Sequence, residues 1–399
     1  MRLPIVTIAL VAMAASPAAR LQAQQDTAAK WYDRLRFEGD MRVRFDYLGL
    51  DETDRGRVRI RLRTGFTLPI AKTVTAGVRV ATAEVGSVTS TNISLSGAFT
   101  LKNFGIERAY ISWAPSPRFT MTGGKFQLPL IRPAGVFRTE MVYDEDVAPE
   151  GFHEQLNLVL NKEGFLRRLA LLGEQWTINE VSDGPDTWML GGQLAADLAF
   201  SPRVSGTITG GYFNYAHGKT LAAARNTNSA LFVSNSVVLR DGTVLEGGKS
   251  LAPPTGNPFA TFVNDFDLLN ANAGITVDKV FGRQPLNVYV DVVHNTGAES
   301  ENSGYWAGIT AGALRRRGDW TATVVYSRLE TEATLSIYNY SDMGFGGTNN
   351  EGPIFQVQYR PGNNFTLSAR HHIMTAINEV TGVSTKPIHR LLLDAGVAF

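Results

Sequence analysis

The sequence predicts an all-β fold, a transmembrane antiparallel β-barrel of about sixteen strands. Three observations carry this: segments alternate apolar and polar residues, short and long connectors alternate between them, and the chain opens on an export signal. The alternation is sharpest at R-V-R-I-R-L-R, where Arg57, Arg59, Arg61 and Arg63 share one strand face and Val58, Ile60 and Leu62 the other. Same-face neighbours lie roughly 7 Å apart, so the four charges line one wall. Each neighbouring pair repels by only about 0.6 kcal/mol in bulk water, and by several-fold more at lower effective dielectric. The arginine face must therefore be wet or matched by acids, while the aliphatic face needs an apolar neighbour.

The N-terminus supplies the first element. Arg2, an apolar stretch over residues 3–15 and a small-residue region ending at Ala23 read as a signal peptide over residues 1–23. Cleavage after Ala23 is expected; Arg20 makes a cut after Ala19 the alternative. The apolar run is shorter than the ~20 residues a spanning helix needs. Residues 24–35 then form a short periplasmic segment, only about a dozen residues ahead of the first strand, and residues 36–399 form the barrel.

In the first strand, at 37–47, Phe37, Met41, Val43 and Phe45 fall on one face and Glu38, Asp40, Arg42, Arg44 and Asp46 on the other. Further strands are expected at 57–68, 73–81, 108–113, 286–293, 320–326, 355–359 and 389–399, with less regular patterns near 166–178 and 262–276. Seven turn-like connectors, around 69–72, 115–118, 161–164, 201–203, 281–283, 317–319 and 361–364, alternate with eight long polar ones, around 48–55, 84–103, 128–152, 179–187, 217–260, 297–303, 336–351 and 378–387. Tight turns on the periplasmic side and long loops outside are the barrel's asymmetry, and the count sets the strand number. At about that number a barrel encloses an aqueous channel.

Placing each arginine of 57–63 on lipid would cost roughly 2–4 kcal/mol near the midplane, so these residues face the lumen and Val58, Ile60 and Leu62 face lipid. The last strand puts Leu391, Leu393, Ala395, Val397 and Phe399 on one face. A mean hydropathy of −0.08 does not oppose a membrane location, because inward polar and outward apolar residues cancel in a sliding window. A formal charge of +1 gives no bulk attraction to nucleic acid, and the lack of cysteine suits an exported chain held by strand pairing. Aromatic residues near strand ends, among them Trp31, Tyr32, Tyr47, Trp113, Trp176, Trp188, Trp306, Trp320 and Phe399, suit interfacial girdles.

F-G-I-E-R-A-Y-I-S-W-A-P from Phe104, G-G-K-F-Q-L-P from Gly123 and V-Y-D-E-D-V-A-P-E-G from Val142 follow the arginine-rich strands. Together they resemble the bacterial putative porin family of outer-membrane β-barrels, continuously over roughly the first 160 residues and as pattern beyond. The longer N-terminal periplasmic extension of some relatives is not expected here. The resemblance implies a porin in the cell outer membrane, general-porin-like, passing small hydrophilic solutes or ions passively. It also implies that the loop at 128–152, after the fifth strand, folds into the lumen. Asp144, Glu145 and Asp146 would then face Arg42, Arg44, Arg59 and Arg61, with Arg79, Arg108 and Lys125 nearby and Glu140 on the same loop. With Arg57 and Arg63, these residues form the expected constriction, whose transverse field orders dipolar solutes and screens charged ones, with an anion preference from the basic wall. The alternative for the loop is a solvated position in which its acids bind divalent cations or lipopolysaccharide partners.

A terminal Phe399 after an alternating strand resembles the signal read by the barrel assembly machinery. Lipid and lipopolysaccharide, small solutes and a homotrimer latched near 84–103 are the expected partners, and nucleic acid is not. The six histidines lack zinc-type spacing, His371 and His372 point to opposite strand faces, and no cofactor or metal is expected. The Gly-Gly pairs at 123, 191, 210 and 247 lack the strand-then-helix context of a phosphate loop and read as barrel glycines. Catalysis is not expected. A non-conducting surface barrel, an adhesin or structural protein, is the first alternative. An outer-membrane barrel lipase, which needs Ser and His aligned on the outer face, is the second, and no such pair stands out.

Overall fold

The computed structural model describes residues 30–49, 54–84, 86–135, 140–224, 234–247, 259–343, 346–379 and 386–399; the expected signal peptide lies outside them. Among the described residues sixteen antiparallel strands close into a barrel. They are β1 (Arg36–Gly49), β2 (Asp54–Ala71), β3 (Val74–Thr82), β4 (Phe104–Ser116), β5 (Phe119–Lys125), β6 (Glu150–Leu160), β7 (Leu166–Asn179) and β8 (Thr187–Ser201). The second half comprises β9 (Val204–Ala216), β10 (Asp267–Phe281), β11 (Gln284–Asn295), β12 (Ser303–Gly312), β13 (Trp320–Leu329), β14 (Asn350–Tyr359), β15 (Phe365–Ala376) and β16 (Ile388–Ala398). Each strand pairs with the next, and β1 pairs with β16, which leaves no open edge. At the seam Gly39 and Phe399 exchange backbone hydrogen bonds of 2.9 and 3.0 Å. A Cβ on Gly39 would lie 2.7 Å from the Arg63 carbonyl oxygen of β2, so a side chain there would crowd the neighbouring backbone.

The connectors alternate as expected, with strand ends running into several of the expected turns, among them β4, which continues to Ser116. Of residues 69–72 only Lys72 lies in the first turn, with Thr73: β2 runs on to Ala71, and the pairing with β3 slips between Pro69 and Ala71. Proline lacks a ladder N–H and is tolerated where the register breaks. The irregular stretch at 262–276 divides between a short loop strand, Phe259–Phe262, and β10. Gly124 accounts for one glycine pair: its φ is +117°, and a Cβ there would lie 2.4 Å from the Ala109 carbonyl.

The faces are those of a barrel in lipid. Val288, Val290 and Val292 of β11 point outward and are exposed, while Asn287, Tyr289 and Asp291 between them are buried inward. In β1, Phe37, Met41, Val43 and Phe45 are outward, whereas Arg44 and Asp46 are buried. A soluble sandwich would show the reverse, with valines inside.

The outer half of the lumen is filled. Met141 and Tyr143 from the loop between β5 and β6, Leu221 and Val237 from the loop between β9 and β10, and Leu335 and Tyr340 from the loop between β13 and β14 form one apolar cluster inside the barrel. Trp176 and Trp306, expected in the girdles, belong to this cluster, because they lie on inward faces and pack on Tyr143 and Tyr340 at 5.2 and 5.7 Å. The connector expected at 217–260 as an outer loop folds over the mouth in its described parts. Asn235 donates to the Thr331 and Thr334 carbonyls at 2.7 and 2.9 Å, and Ser336 N donates back to it at 2.9 Å. Such bonds satisfy backbone groups that the packed interior would otherwise leave unpaired.

Candidate functional site

Strand register builds the charged wall. Opposite residues of β1 and β2 pair Asp40 with Arg63, Arg42 with Arg61, Arg44 with Arg59 and Asp46 with Arg57. The ends of the ladder are matched, but its middle sets four arginines in like-charge pairs, which is unfavourable without compensation. β15 and β16 extend the wall with Arg370, Arg390 and Asp394, since Arg44 lies opposite Asp394 and Arg390 opposite His372.

Compensation comes from four directions. Arg44 Nε and Nη2 donate to the two Asp394 oxygens at 2.7 and 2.9 Å, and Arg44 Nη1 donates to Asp342 Oδ2 at 2.7 Å. Arg390 makes a bidentate pair with Asp46, 3.0 Å at both oxygens, and lies 3.1 Å from Asp342 Oδ1. Arg370 pairs with Asp342 at 3.8 Å and hydrogen-bonds the Tyr340 hydroxyl. Arg57 donates to Asp46 at 2.6 Å, Arg59 lies 3.6 Å from it, and Asp40 bridges Arg61 and Arg63 at 2.7 Å each. Arg42 differs: among the described residues its hydrogen-bond partner is the neutral Asn92 Oδ1, at 2.7 Å, and no carboxylate is within ion-pair distance. Asn92 is brought there because β3 stops at Thr82 and the short strand Ile93–Ser94 takes its place against the outer half of β2.

Of the acids expected opposite this wall, Asp146 reaches it, 3.0 Å from Arg63 and 3.8 Å from Arg61. Asp144 does not: its carboxylate accepts from Ser341 N at 3.1 Å and Ser341 Oγ at 3.0 Å. Glu140 is buried beside it, and Glu145 lines a cavity together with Arg42 and Arg61 and has no ion pair among the described residues. Two bonds dock this loop on the one between β13 and β14, Asp144 N to Tyr338 O at 2.7 Å and Tyr340 N to Glu140 O at 3.0 Å, so its acids are divided between two neighbours. Arg79 is taken by Glu107 in a bidentate pair, Arg108 donates to Gln127 at 2.9 Å, and Lys125 pairs with Glu150 at 2.6 Å. Asp342 carried no signal in the sequence, because it lies in an aperiodic loop. Arg390 and Asp394 were legible by parity, opposite the outward Leu391 and Leu393.

These surroundings set the loop acids apart. Burial alone would raise the Asp342 carboxyl, but Arg44, Arg390 and Arg370 outweigh it and hold the group well below the usual range. Asp146 is likewise lowered against its burial by Arg61 and Arg63. Burial and then the charge of Asp146 push Asp144 up to about 8. Glu140 is raised by burial and by Glu145 and Asp144.

Two cavities flank the wall. The outer, about 230 Å³, is lined by Glu107, Lys125, Asp146, Tyr143 and Tyr338. The inner, about 520 Å³, reaches toward the turns and is lined by Arg42, Arg61, Arg370, Asp394, Glu145 and Gln356 among others. Asp146 lines the outer cavity and its partner Arg61 the inner one.

One serine and histidine pair does lie on the outer face: His294 Nδ1 is 2.9 Å from Ser303 Oγ, which also lies 3.1 Å from Asn302 Oδ1. Among the described residues no third group orients the other His294 nitrogen, as a nucleophile's base requires.

A closed barrel with an apolar exterior and a charged, cavity-bearing lumen defines the class, an outer-membrane channel protein. The family model described as putative porin matches residues 50–246 and 262–399, and the chain belongs to that family. The match extends well past the first 160 residues in which the resemblance was continuous. Among solved structures, OprB of Pseudomonas putida at high pH is similar over 92% of this chain and 94% of its own, at 10% identity and a TM-score of 0.57. OmpF of Salmonella typhi, in complex with daunomycin, is similar over 92% and 97%, at 11% identity and a TM-score of 0.52. At these identities the likeness is one of fold. Comparison with curated proteins finds no match. The protein resides in the cell outer membrane.

Proposed function

We propose that this porin passes small hydrophilic solutes and ions passively, with an anion preference, and performs no catalysis. The observation that carries the reading is Arg42: a lumenal arginine without a carboxylate partner among the described residues, lining the inner cavity beside the Asp146 to Arg61 and Arg63 constriction. Selectivity then follows from the pore's width and the charges across it. Arg42, Arg44, Arg57, Arg59, Arg61, Arg63 and Asp146 act as constriction residues, with Asp342 as a counter-charge that seats a loop. Arg79, Arg108, Lys125, Glu140, Asp144 and Glu145 surround them. Lipid and lipopolysaccharide contact the exterior, three copies assemble, and the exposed Phe399 engages the assembly machinery.

The packed outer half of the lumen favours a second reading, a non-conducting surface barrel. Planar-bilayer recording of the purified protein separates the two. Steady channels whose reversal potential in a salt gradient shows anion preference are expected, and an inert protein selects the second reading.

A further inference from the structure

On the turn side of the barrel a second charged space lies apart from the constriction. The turn after β8, the end of β10 and the connector between β12 and β13 enclose a pocket of about 420 Å³, lined by Arg203, Lys279, Arg283, Arg315, Arg316 and two aspartates, Asp278 and Asp319. The aspartates are already engaged. Asp319 Oδ1 accepts from Arg283 Nη2 at 2.5 Å and Gln284 Nε2 at 2.7 Å, and its Oδ2 from the backbone N–H groups of Arg315 and Arg316 at 2.9 and 2.7 Å. Asp278 lies 3.8 Å from Arg315. Arg203, Lys279 and Arg316 have no side-chain ion pair among the described residues, so the pocket carries an excess of positive charge.

The backbone beside the pocket departs from regular pairing. The β10 to β11 pairing slips between Val277 and Phe281, and Lys279 in that bulge has a φ of +60°, a conformation glycine adopts without strain. Bulges re-aim side chains, and this one presents Lys279 to the pocket. The connector opposite is pinned from below: Arg360 N donates to Asp319 O at 2.9 Å, and Arg360 Nη1 to Leu314 O at 2.9 Å. Arg315 lines both this pocket and the inner cavity that holds Arg42, Arg61 and Arg370, so the two spaces share a wall.

We propose that this pocket is a phosphate-group site at the periplasmic mouth of the barrel. Arg203, Lys279 and Arg316 would supply the charge-assisted hydrogen bonds, for which a small oxyanion with several acceptor oxygens is the matching ligand. The source of that group is either free phosphate leaving the lumen or the headgroup of an inner-leaflet phospholipid. The first deepens the channel reading and rests on it for the route, though not for the binding.

The test is titration of the full-length protein with inorganic phosphate, followed by calorimetry, once in dodecyl maltoside, which carries no phosphate, and once in nanodiscs containing phosphatidylglycerol. Saturable binding in the maltoside is expected, weakened about tenfold by Lys279→Gly and again by Arg316→Gln, the order of a hydrogen bond to a charged group. Lys279→Gly relieves the positive φ, so loss of fold does not mimic the result. If the headgroup is the ligand, phosphatidylglycerol abolishes phosphate binding, and native mass spectrometry shows that lipid retained by the parent and lost from both variants. Absence of both signals, or variants that bind like the parent, overturns the site. Conduction without binding overturns the site and leaves the channel reading standing; binding without conduction does the opposite.

Discussion

Arg44 Nη1 lies 2.7 Å from Asp342 Oδ2, joining the first strand to a loop 298 residues later in the chain. Arg44 is 1% exposed, and the same carboxylate serves Arg390 and Arg370. The pair therefore does two things: it neutralises the most crowded part of the arginine wall, and it seats the loop between β13 and β14 inside the barrel.

Asp342→Ala should unseat that loop. Removing one partner of a buried ion pair costs about 3–5 kcal/mol, because the remaining charges stay desolvated. The expected outcome is faster proteolysis within residues 330–349 and a larger, noisier single-channel conductance, with Asp342→Glu retaining part of the parent behaviour. A variant whose proteolysis and conductance match the parent would show that the clamp does not hold the loop.

Arg42→Gln should lower anion preference. A unit charge ~6 Å from a passing ion is worth about 0.7 kcal/mol in bulk water, or about threefold in permeability ratio. Asp146→Asn should shift it the other way by a similar factor. Reversal potentials in a potassium chloride gradient check both, and the effects should shrink as salt shortens the screening length.

Seating of the loop between β5 and β6 should weaken as pH rises. Asp144 has a folded pKa of about 8, above its unfolded value, so the seated state holds a proton that the displaced state releases. The stabilisation is full below about pH 4 and is lost progressively toward pH 8. Asp146, Asp342 and Glu140 are the titratable groups around this carboxyl, and Asp146 and Asp342, held low, stay charged through that window. A spin label on the loop should gain mobility between pH 5 and 9 in the parent, and Asp144→Asn should flatten the profile.

Val324→Arg should destabilise the barrel by roughly 2–4 kcal/mol, the cost of arginine on the lipid face near the midplane. Val324 is 50% exposed outward, whereas the adjacent Thr323 is 3% exposed and lumenal. Thr323→Val, which keeps the shape inside, should cost much less. Reversible unfolding in lipid vesicles measures both.

The barrel was legible because its determinants are local. Period-two alternation sets which face of each strand meets lipid, and the alternation of turn and loop lengths sets strand number, so Arg57 to Arg63 and Phe37 to Phe45 could be assigned to faces without knowing their neighbours. Parity would also have placed Arg390 and Asp394 on the wall. The partners of the wall were not legible in the same way. Asp144, Glu145 and Asp146 are adjacent in the chain and chemically alike, yet Asp146 meets Arg61 and Arg63 while Asp144 turns to Ser341. Trp176 and Trp306 read as girdle residues until the loops packed inside gave them an apolar interior to occupy.

By itself, then, the sequence determined the barrel, its orientation in the membrane and the existence of a cationic lumenal face, since each follows from spacing along the chain. Only the tertiary structure decided which carboxylates neutralise which arginines, that Asp342 is the central one, and that Arg42 is left without a carboxylate partner among the described residues. Those outcomes depend on where aperiodic loops dock across the barrel. Docking is governed by long-range packing and charge, for which adjacency in the chain supplies no rule.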